Sequence, residues 1–240
     1  MDIQLQHLVD TYRASAATVE LVRNTPIVLL VGVAGAGKDT IKHRLLETGN
    51  YHHIVSHTTR HPRANGGVME EDGVAYHFID LDKGRMMLEN GEFVEAKFVH
   101  GETLYGTSAT EIAQAKADGR IAITDLDVQG VAEYKAISDN VIAVFILPPS
   151  FTEWQARLKA RYTEADGVKA DINQRMHTAI SELKDALKRP YYHFVINENL
   201  DDAVEAVDSI AHHHDEFTII DDTFFSKAEQ LLRELEAHVA

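Results

Sequence analysis

Gly32-Val33-Ala34-Gly35-Ala36-Gly37-Lys38-Asp39-Thr40 decides how this chain is read. It follows Ile27-Val28-Leu29-Leu30-Val31, an apolar run short and β-branched enough for a buried strand, and leads into Ile41-Lys42-His43-Arg44-Leu45-Leu46, which reads as a helix. Strand, glycine loop and helix fit the spacing G-x-x-x-x-G-K. In that pattern the glycines let backbone N–H groups turn inward around phosphate oxygens, and Lys38 adds a positive charge. Gly32, Ala34, Gly35, Ala36, Gly37, Lys38, Asp39 and Thr40 are therefore the residues expected to hold a polyphosphate. One letter departs from the pattern: Asp39 stands where Ser or Thr would meet a magnesium ion.

With 240 residues the chain has room for one large α/β domain with appendages and can bury a substantial core. Its 45% hydrophobic and 25% charged residues, with no apolar run of bilayer length, read as a soluble globular protein with no membrane partner. The start Met1-Asp2-Ile3-Gln4 lacks the basic and apolar regions of a signal peptide, so a cytoplasmic location is expected. The absence of cysteine excludes disulfides and thiolate metal sites. A formal charge of −15 argues against a nucleic-acid partner, which needs a surface excess of Lys and Arg. Local cations around a small anionic substrate suit this composition better.

Along the chain, Leu5, Leu8, Val9, Tyr12, Val19 and Val22 fall at largely helical spacing, giving one or two amphipathic helices before the first strand. Tyr51 to Val55 reads as a short strand, and Pro62 keeps Ser56-His57-Thr58-Thr59-Arg60-His61-Pro62-Arg63 from being helical. Val74 to Phe78 alternates like a strand, Leu81 to Asn90 is a helix ended by Gly91, and Phe93 to Val99 is a strand. Gly101 to Gly106 is a turn, and Ser108 is placed to cap a helix over Ala109 to Ala117. Ile121-Ala122-Ile123-Thr124 is a buried strand ending in Asp125-Leu126-Asp127, at the strand end where ligands bind in parallel sheets.

Val141 to Leu147 is the next strand, after which Ser150 caps a helix carrying Arg157 and Arg161 on one face. A second helix from Val168 to Lys188 carries Arg175, followed by a strand at Tyr192 to Asn197 and a helix at Asp201 to Ile210. Alternating strands and helices indicate a parallel sheet. His212-His213-His214 do not share a helical face and read as a solvated turn. Thr223 to Val239 is amphipathic, with the N-terminal helices or a second copy in a homodimer as its two candidate partners.

From Pro26 to Ile210 the chain resembles guanylate kinases. Six motifs stand in order: the phosphate loop, S-x-T-T-R-x-P-R at Ser56 to Arg63, G-x-x-Y-x-F at Gly73 to Phe78, G-E-F-x-E at Gly91 to Glu95, Y-G-T-S at Tyr105 to Ser108, and D-x-D-x-Q-G at Asp125 to Gly130. The resemblance implies an α/β P-loop NTPase fold with a three-layer α/β/α core around a parallel sheet (25–55, 109–150 and 190–210). To this it adds a small mixed α/β subdomain for the nucleoside monophosphate (56–108) and a helical lid (151–189). Helical extensions at 1–24 and 211–240 flank the guanylate-kinase-like domain at 25–210.

It also implies the activity, ATP-dependent phosphorylation of GMP or dGMP to the diphosphate with Mg²⁺, and the residues. Arg60 and Arg63 with the hydroxyls of Tyr76 and Tyr105 would grip the monophosphate, where guanidinium meets two phosphate oxygens at once. Glu95 would read the donor edge of guanine, with Ser56 and Thr107 on its acceptor side. Asp125 and Asp127 would orient substrate or hold magnesium through water. Lys38, Arg63, Arg161 and Arg175 would carry catalysis, Arg157 and Asn197 would lie on the ATP side, and Asp39 with Thr40 would hold the metal.

Three departures qualify the likeness. Asp39 repels a triphosphate unless Mg²⁺ lies between them, though a carboxylate can itself ligate that ion. The loop between Arg63 and Tyr76 is longer than the family usually has; counting back from Tyr76 selects Glu70 as the acidic residue on the phosphate side, with Glu71 as its rival. The lid between Arg161 and Arg175 is longer too, with Tyr162 where glycine is common. Two further readings stay open: a kinase for another small phosphate-bearing acceptor, and a guanylate-kinase-like module that has lost catalysis and binds protein.

Overall fold

All five residues of the first strand, β1 (Ile27–Val31), are buried. A strand covered on both faces is continuously apolar rather than alternating, and β10 (Ile142–Leu147) has the same character. β1 pairs parallel with β10, and β10 with β11 (Tyr192–Ile196). β2 (Tyr51–His53) pairs parallel with β9 (Ile121–Asp125), in a five-stranded sheet of order β11-β10-β1-β9-β2. The structure, a computed structural model, describes residues 2–65, 68–99, 101–160, 168–213 and 222–239. The architecture is mixed α/β with a parallel sheet at its core. No helix among the described residues is long and apolar enough to cross a membrane.

The chain divides into two compact units. One comprises Met1–Ile27, Asn50–Thr124 and Ala132–Val141. Its second sheet has the order β6-β3-β8-β7, built from β3 (His57–Thr58), β6 (His77–Phe78), β7 (Phe93–Val99) and β8 (Thr103–Ser108). β7 and β8 run antiparallel, with a register shift between Phe93 and Glu95. The short strands β4 (Ala64–Asn65) and β5 (Val68–Met69) pair antiparallel beside it.

Two N-terminal helices belong to this unit. α1 (Ile3–Asp10) is capped by Asp2, and α2 (Ala16–Arg23) by Ser15. They close on the β7 edge: Leu5 is buried with Met87, Leu88, Phe93 and Leu104, and the Tyr12 hydroxyl donates to Phe93 O at 2.5 Å. Ser15 N and Thr18 Oγ1 both donate to Gly91 O, at 3.0 and 2.9 Å. Gly91 has φ +67° after α4 (Leu81–Glu89), and a Cβ there would lie 2.8 Å from Ser15 N. Glycine is required at this position both to end a helix and to admit the N-terminal segment.

The other unit comprises Val28–Gly49, Asp125–Val131 and Ile142–Ala240. It holds α3 (Lys38–Glu47), α7 (Phe151–Ala160), α8 (Val168–Ala186), α9 (Leu200–His213) and α10 (Asp222–Val239). α10 buries Ala228, Leu231 and Leu235 and packs on α7, α8 and β11 of its own chain, with Lys184 Nζ 2.7 Å from Glu236 Oε1. Its apolar face is thus taken by elements outside the two partners that the amphipathic pattern suggested.

Several local expectations change. Only His77–Phe78 of the alternating run from Val74 is a strand, because Gly73 N donates to Tyr76 O and Val74 N to Glu71 O, which curls the chain. Thr103 to Gly106 is not a turn but most of β8, since β7 offers a full antiparallel partner. Ser108 precedes α5 (Ala109–Ala117) in extended conformation, yet its hydroxyl makes no capping bond. His212 and His213 end α9 rather than forming a turn; His214 lies outside the described residues.

Leu5 is fully buried in the cluster under β7, so Leu5→Ala is expected to cost about 2–5 kcal/mol. Urea unfolding followed by circular dichroism measures it. A near-zero cost would mean that α1 is not part of this core.

Candidate functional site

The phosphate loop takes its shape from its carbonyls. Trp154 Nε1 on α7 donates to Ala34 O at 2.7 Å, and Asn197 Nδ2, just beyond β11, donates to Ala36 O at 2.8 Å. In a trans peptide the C=O and the following N–H point opposite ways, so the N–H groups of Gly35 and Gly37 are directed away from these two side chains. Gly37 has φ +99°, and a Cβ there would sit 2.1 Å from Asn197 Nδ2; at Gly32, with φ +135°, it would sit 2.2 Å from Ile146 O. Gly37 is the N-cap of α3, so the positive end of that helix faces the loop. The Lys38 ammonium donates to Gly32 O and, at 3.4 Å, to Val33 O. A phosphate chain would find N–H donors, a helix terminus and an ammonium together.

Around this loop, Asp39 and Thr40 lie exposed in the first turn of α3. Lys42 joins Asp39, at 3.9 Å, to Asp125, to which it donates a hydrogen bond. Burial pushes the Asp125 carboxyl up, but the charge and hydrogen bond of Lys42, aided by Lys38, outweigh it and hold the group below the usual carboxylate value. Asp127 Oδ1 accepts from Gly130 N at 2.7 Å and so starts α6 (Val128–Ile137). Arg157 is tied to Glu153 Oε1 and to Asn197 O, each at 3.1 Å. Asn197, expected near an adenine, is 6% exposed and spends its amide on the loop. Arg175 is half-buried on α8, whereas Arg161 lies outside the described residues.

Sequence reasoning missed Glu182. It flanks the buried stripe Met176, Ala179, Leu183 and Ala186 of α8 and feels the charges of Lys38 and Asp127. Burial pushes its carboxyl up to about 7; Lys38 opposes that and Asp127 adds to it. An acidic residue bordering an apolar stripe was the available signal.

The residues expected to grip the monophosphate and read the base gather in the other unit. Arg60 places Nη1 and Nη2 on the two oxygens of Glu70, at 2.6 and 2.8 Å, and Nε on Tyr105 Oη at 3.2 Å, with its guanidinium 4.8 Å from the Tyr76 ring centre. Glu70 also accepts from Arg63 N at 2.9 Å. The guanidinium, then the Arg63 amide, hold the Glu70 carboxyl down at about 2. Of the two candidate acids, Glu70 therefore joins the arginine, while Glu71 is exposed; the Arg63 residue sits at the exposed rim. A second group forms where Thr107 Oγ1 donates to Glu95 Oε1 at 2.8 Å and lies 3.4 Å from Ser56 Oγ. Glu95 is 7% exposed and also lines an open pocket of about 450 Å³ with Tyr12, Arg13 and Glu133. Tyr134, fully buried on α6, was likewise missed; burial and then the Glu95 charge push its hydroxyl up.

Another cluster has no trace in the motifs. Glu111 on α5 takes His52 Nε2 at 3.3 Å and His77 Nε2 at 2.8 Å, and the His57 ring centre lies 4.7 Å from that of His77, the two rings tilted by 40°. Burial and then the neighbouring His77 push His57 down to about 4. No group of acidic and histidine side chains among the described residues is arranged to hold a metal ion. Because His57 binds its proton more weakly folded than unfolded, stability should be full above about 6.5 and fall as pH drops toward 4. Urea midpoints at pH 7, 6 and 5 are expected to decline less in His57→Asn than in the wild type; parallel declines would rule out His57 as the cause.

A sequence model of the family described as guanylate kinase matches residues 23–214. A guanylate kinase of Geobacter metallireducens is 34% identical over 189 residues, covering 78% of this chain and 88% of that protein. One from Myxococcus xanthus is 36% identical over 185 residues, covering 77% and 84%. The crystal structure of guanylate kinase from Anaplasma phagocytophilum shares the fold at a TM-score of 0.57 and 24% identity, over 81% of this chain and 88% of that one. With most of its length matched in this way, the chain belongs to the guanylate kinase family.

Proposed function

We propose that the chain is an ATP-dependent guanylate kinase that moves the γ-phosphoryl group of ATP onto the 5′-phosphate of GMP or dGMP with Mg²⁺, leaving ADP and GDP or dGDP. The observation that carries this reading is Glu95, a buried carboxylate fixed by Thr107 in the same unit as the Arg60–Tyr105 group. Guanine presents two donors, N1–H and the exocyclic amine, on one edge, and a fixed carboxylate is complementary to both. Adenine places a lone pair at N1 and would leave that carboxylate poorly matched, an expensive arrangement away from water. The Ser56 hydroxyl serves the acceptor side of the base, and Thr107, whose single proton goes to Glu95, would join it there only by turning that proton from the carboxylate.

On the phosphate side, Glu70 holds the Arg60 guanidinium over the Tyr76 ring, with Nε on the Tyr105 hydroxyl, before any ligand arrives. The acceptor phosphate then exchanges with the carboxylate for those donors, and Arg63 adds a second cation from the rim. On the donor side, the N–H groups of Gly35 and Gly37 and the α3 terminus bind the polyphosphate, while Lys38 turns from its carbonyl partners to the phosphate oxygens. Asp39 and Thr40 offer exposed oxygen donors of the kind Mg²⁺ takes, and they would hold it. The ion, when bound, neutralises charge on the phosphate oxygens. Arg157, Arg161 and Arg175 supply cations for the transferring group. The protein's remaining task is alignment, since phosphoryl transfer needs little covalent help.

A coupled ADP-release assay with ATP and Mg²⁺ tests this against GMP, dGMP, AMP and UMP. GMP and dGMP should be turned over with kcat/KM roughly 100-fold or more above AMP and UMP, the discrimination of a site built to hydrogen-bond its substrate. Glu95→Gln should raise KM for GMP roughly 10- to 100-fold with little change in KM for ATP, the loss of a charged hydrogen bond. No ADP above background with GMP would sink the proposal, and efficient turnover of another acceptor would move it to a different phosphate substrate.

A further inference from the structure

Lys42 lies one turn along α3 from Asp39, and its ammonium meets two carboxylates. It donates to Asp125 Oδ1 at the end of β9 and stands 3.9 Å from Asp39 Oδ1. The lysine side chain is 14% exposed and that of Asp39 71% exposed, so the cation is set into the wall while the carboxylate reaches into water. An exposed ion pair of this length adds little to folding. Its effect falls instead on whatever charge arrives at the loop.

A hydroxyl at position 39 would carry no charge, whereas Asp39 sets a negative charge beside the place where a polyphosphate binds. Two cations, Lys38 and Lys42, accompany the two carboxylates, Asp39 and Asp125. Deleting the Asp39 charge makes the group more positive by one charge, and deleting that of Lys42 makes it more negative by one. Because Asp125 anchors it, the Lys42 ammonium cannot swing out to solvent as a surface lysine would.

We infer that Lys42 is a positioning residue for the nucleotide: anchored by Asp125, it compensates Asp39, so that the loop holds phosphates without depending wholly on a divalent cation. This rests on the proposed function, whose donor site it deepens. Magnesium against Asp39 would supply the same compensation, so the lysine should matter most when the ion is withheld.

The test is a fluorescence titration of the full chain with mant-ADP, once in EDTA and once in saturating Mg²⁺, for wild type, K42M, K42R, D39S and the D39S/K42M double variant. K42M should lose about tenfold in affinity in EDTA and less than about threefold in Mg²⁺, because the ion screens the uncovered carboxylate. D39S should gain affinity in EDTA. In the double variant the ratio of the Mg²⁺ to the EDTA affinity should return to within about threefold of wild type, and K42R, which keeps the charge, should also stay within that range. Equal losses for K42M in both buffers, not reversed by D39S, would assign Lys42 to the fold alone and overturn the inference. If K42M does not fold, D39S decides, since Asp39 is exposed: unchanged affinity in EDTA overturns it. Wild type that binds mant-ADP in neither buffer would instead overturn the phosphate-loop reading itself, and this inference with it.

Discussion

Peptide planarity at two positions in the phosphate loop constrains much of what surrounds it. Once the Ala34 and Ala36 carbonyls are fixed by Trp154 and Asn197, the amides that follow them have no freedom to turn. The anchors are themselves immobile: Trp154 is fully buried, and Asn197 N donates to Leu147 O at 2.8 Å at the end of β10. The loop's shape is thus inherited from the parallel sheet and from the helix that follows β10. A free glycine-rich segment would lose conformational entropy on meeting phosphate; here most of that loss is incurred in folding. The same β10 strand bounds the loop at its other end, where Ile146 O leaves room for nothing larger than Gly32.

The unit that carries Glu95 relies on an equally specific piece of backbone. A register shift lies between Phe93 and Glu95 in β7, beside the carboxylate of the proposed site, and bulges commonly serve to re-aim a side chain. β7 is the edge strand of its sheet, and an edge left open invites pairing with other chains. The N-terminal helices take up backbone oxygens there, with Tyr12 on Phe93 O and Ser15 and Thr18 on Gly91 O. What the sequence suggested as an appendage is part of the support for Glu95.

The parts legible in the sequence were those whose chemistry is local. The loop spacing, the buried β1 run and the Ser56 to Arg63 segment each declare themselves within a few residues. What escaped depends on pairs far apart: Trp154 with Ala34, Lys42 with Asp125, Glu111 with His52 and His77. Nothing near Lys42 distinguishes it from a solvated helix lysine until β9 brings Asp125 to it. Glu70 and Glu71 are equivalent by composition, and the spacing from Tyr76 that selects Glu70 is met in the structure by its paired hydrogen bonds to Arg60, while Glu71 O accepts from Ala75 N in the turn that follows. The alternating Val74 to Phe78 run misleads for a similar reason, since local turn bonds claim the amides that a longer strand would need.

In the proposed function a chain with a formal charge of −15 has to bind anions, and it would do so with cations already matched to carboxylates: Arg60 to Glu70, Lys42 to Asp125. Matching does not cancel such a cation for a ligand. It fixes the guanidinium plane and removes rotamer entropy before binding, and it keeps a part-buried charge hydrogen-bonded meanwhile. A phosphate dianion carries more charge than the carboxylate it displaces and offers more acceptor oxygens, so the exchange runs in its favour, while a weakly charged ligand meets a closed pair. Selectivity for phosphate then follows from the strength of the internal partner as much as from the arginine. Glu70, gripped by both guanidinium nitrogens and an amide, sets a high threshold for any anion that would replace it.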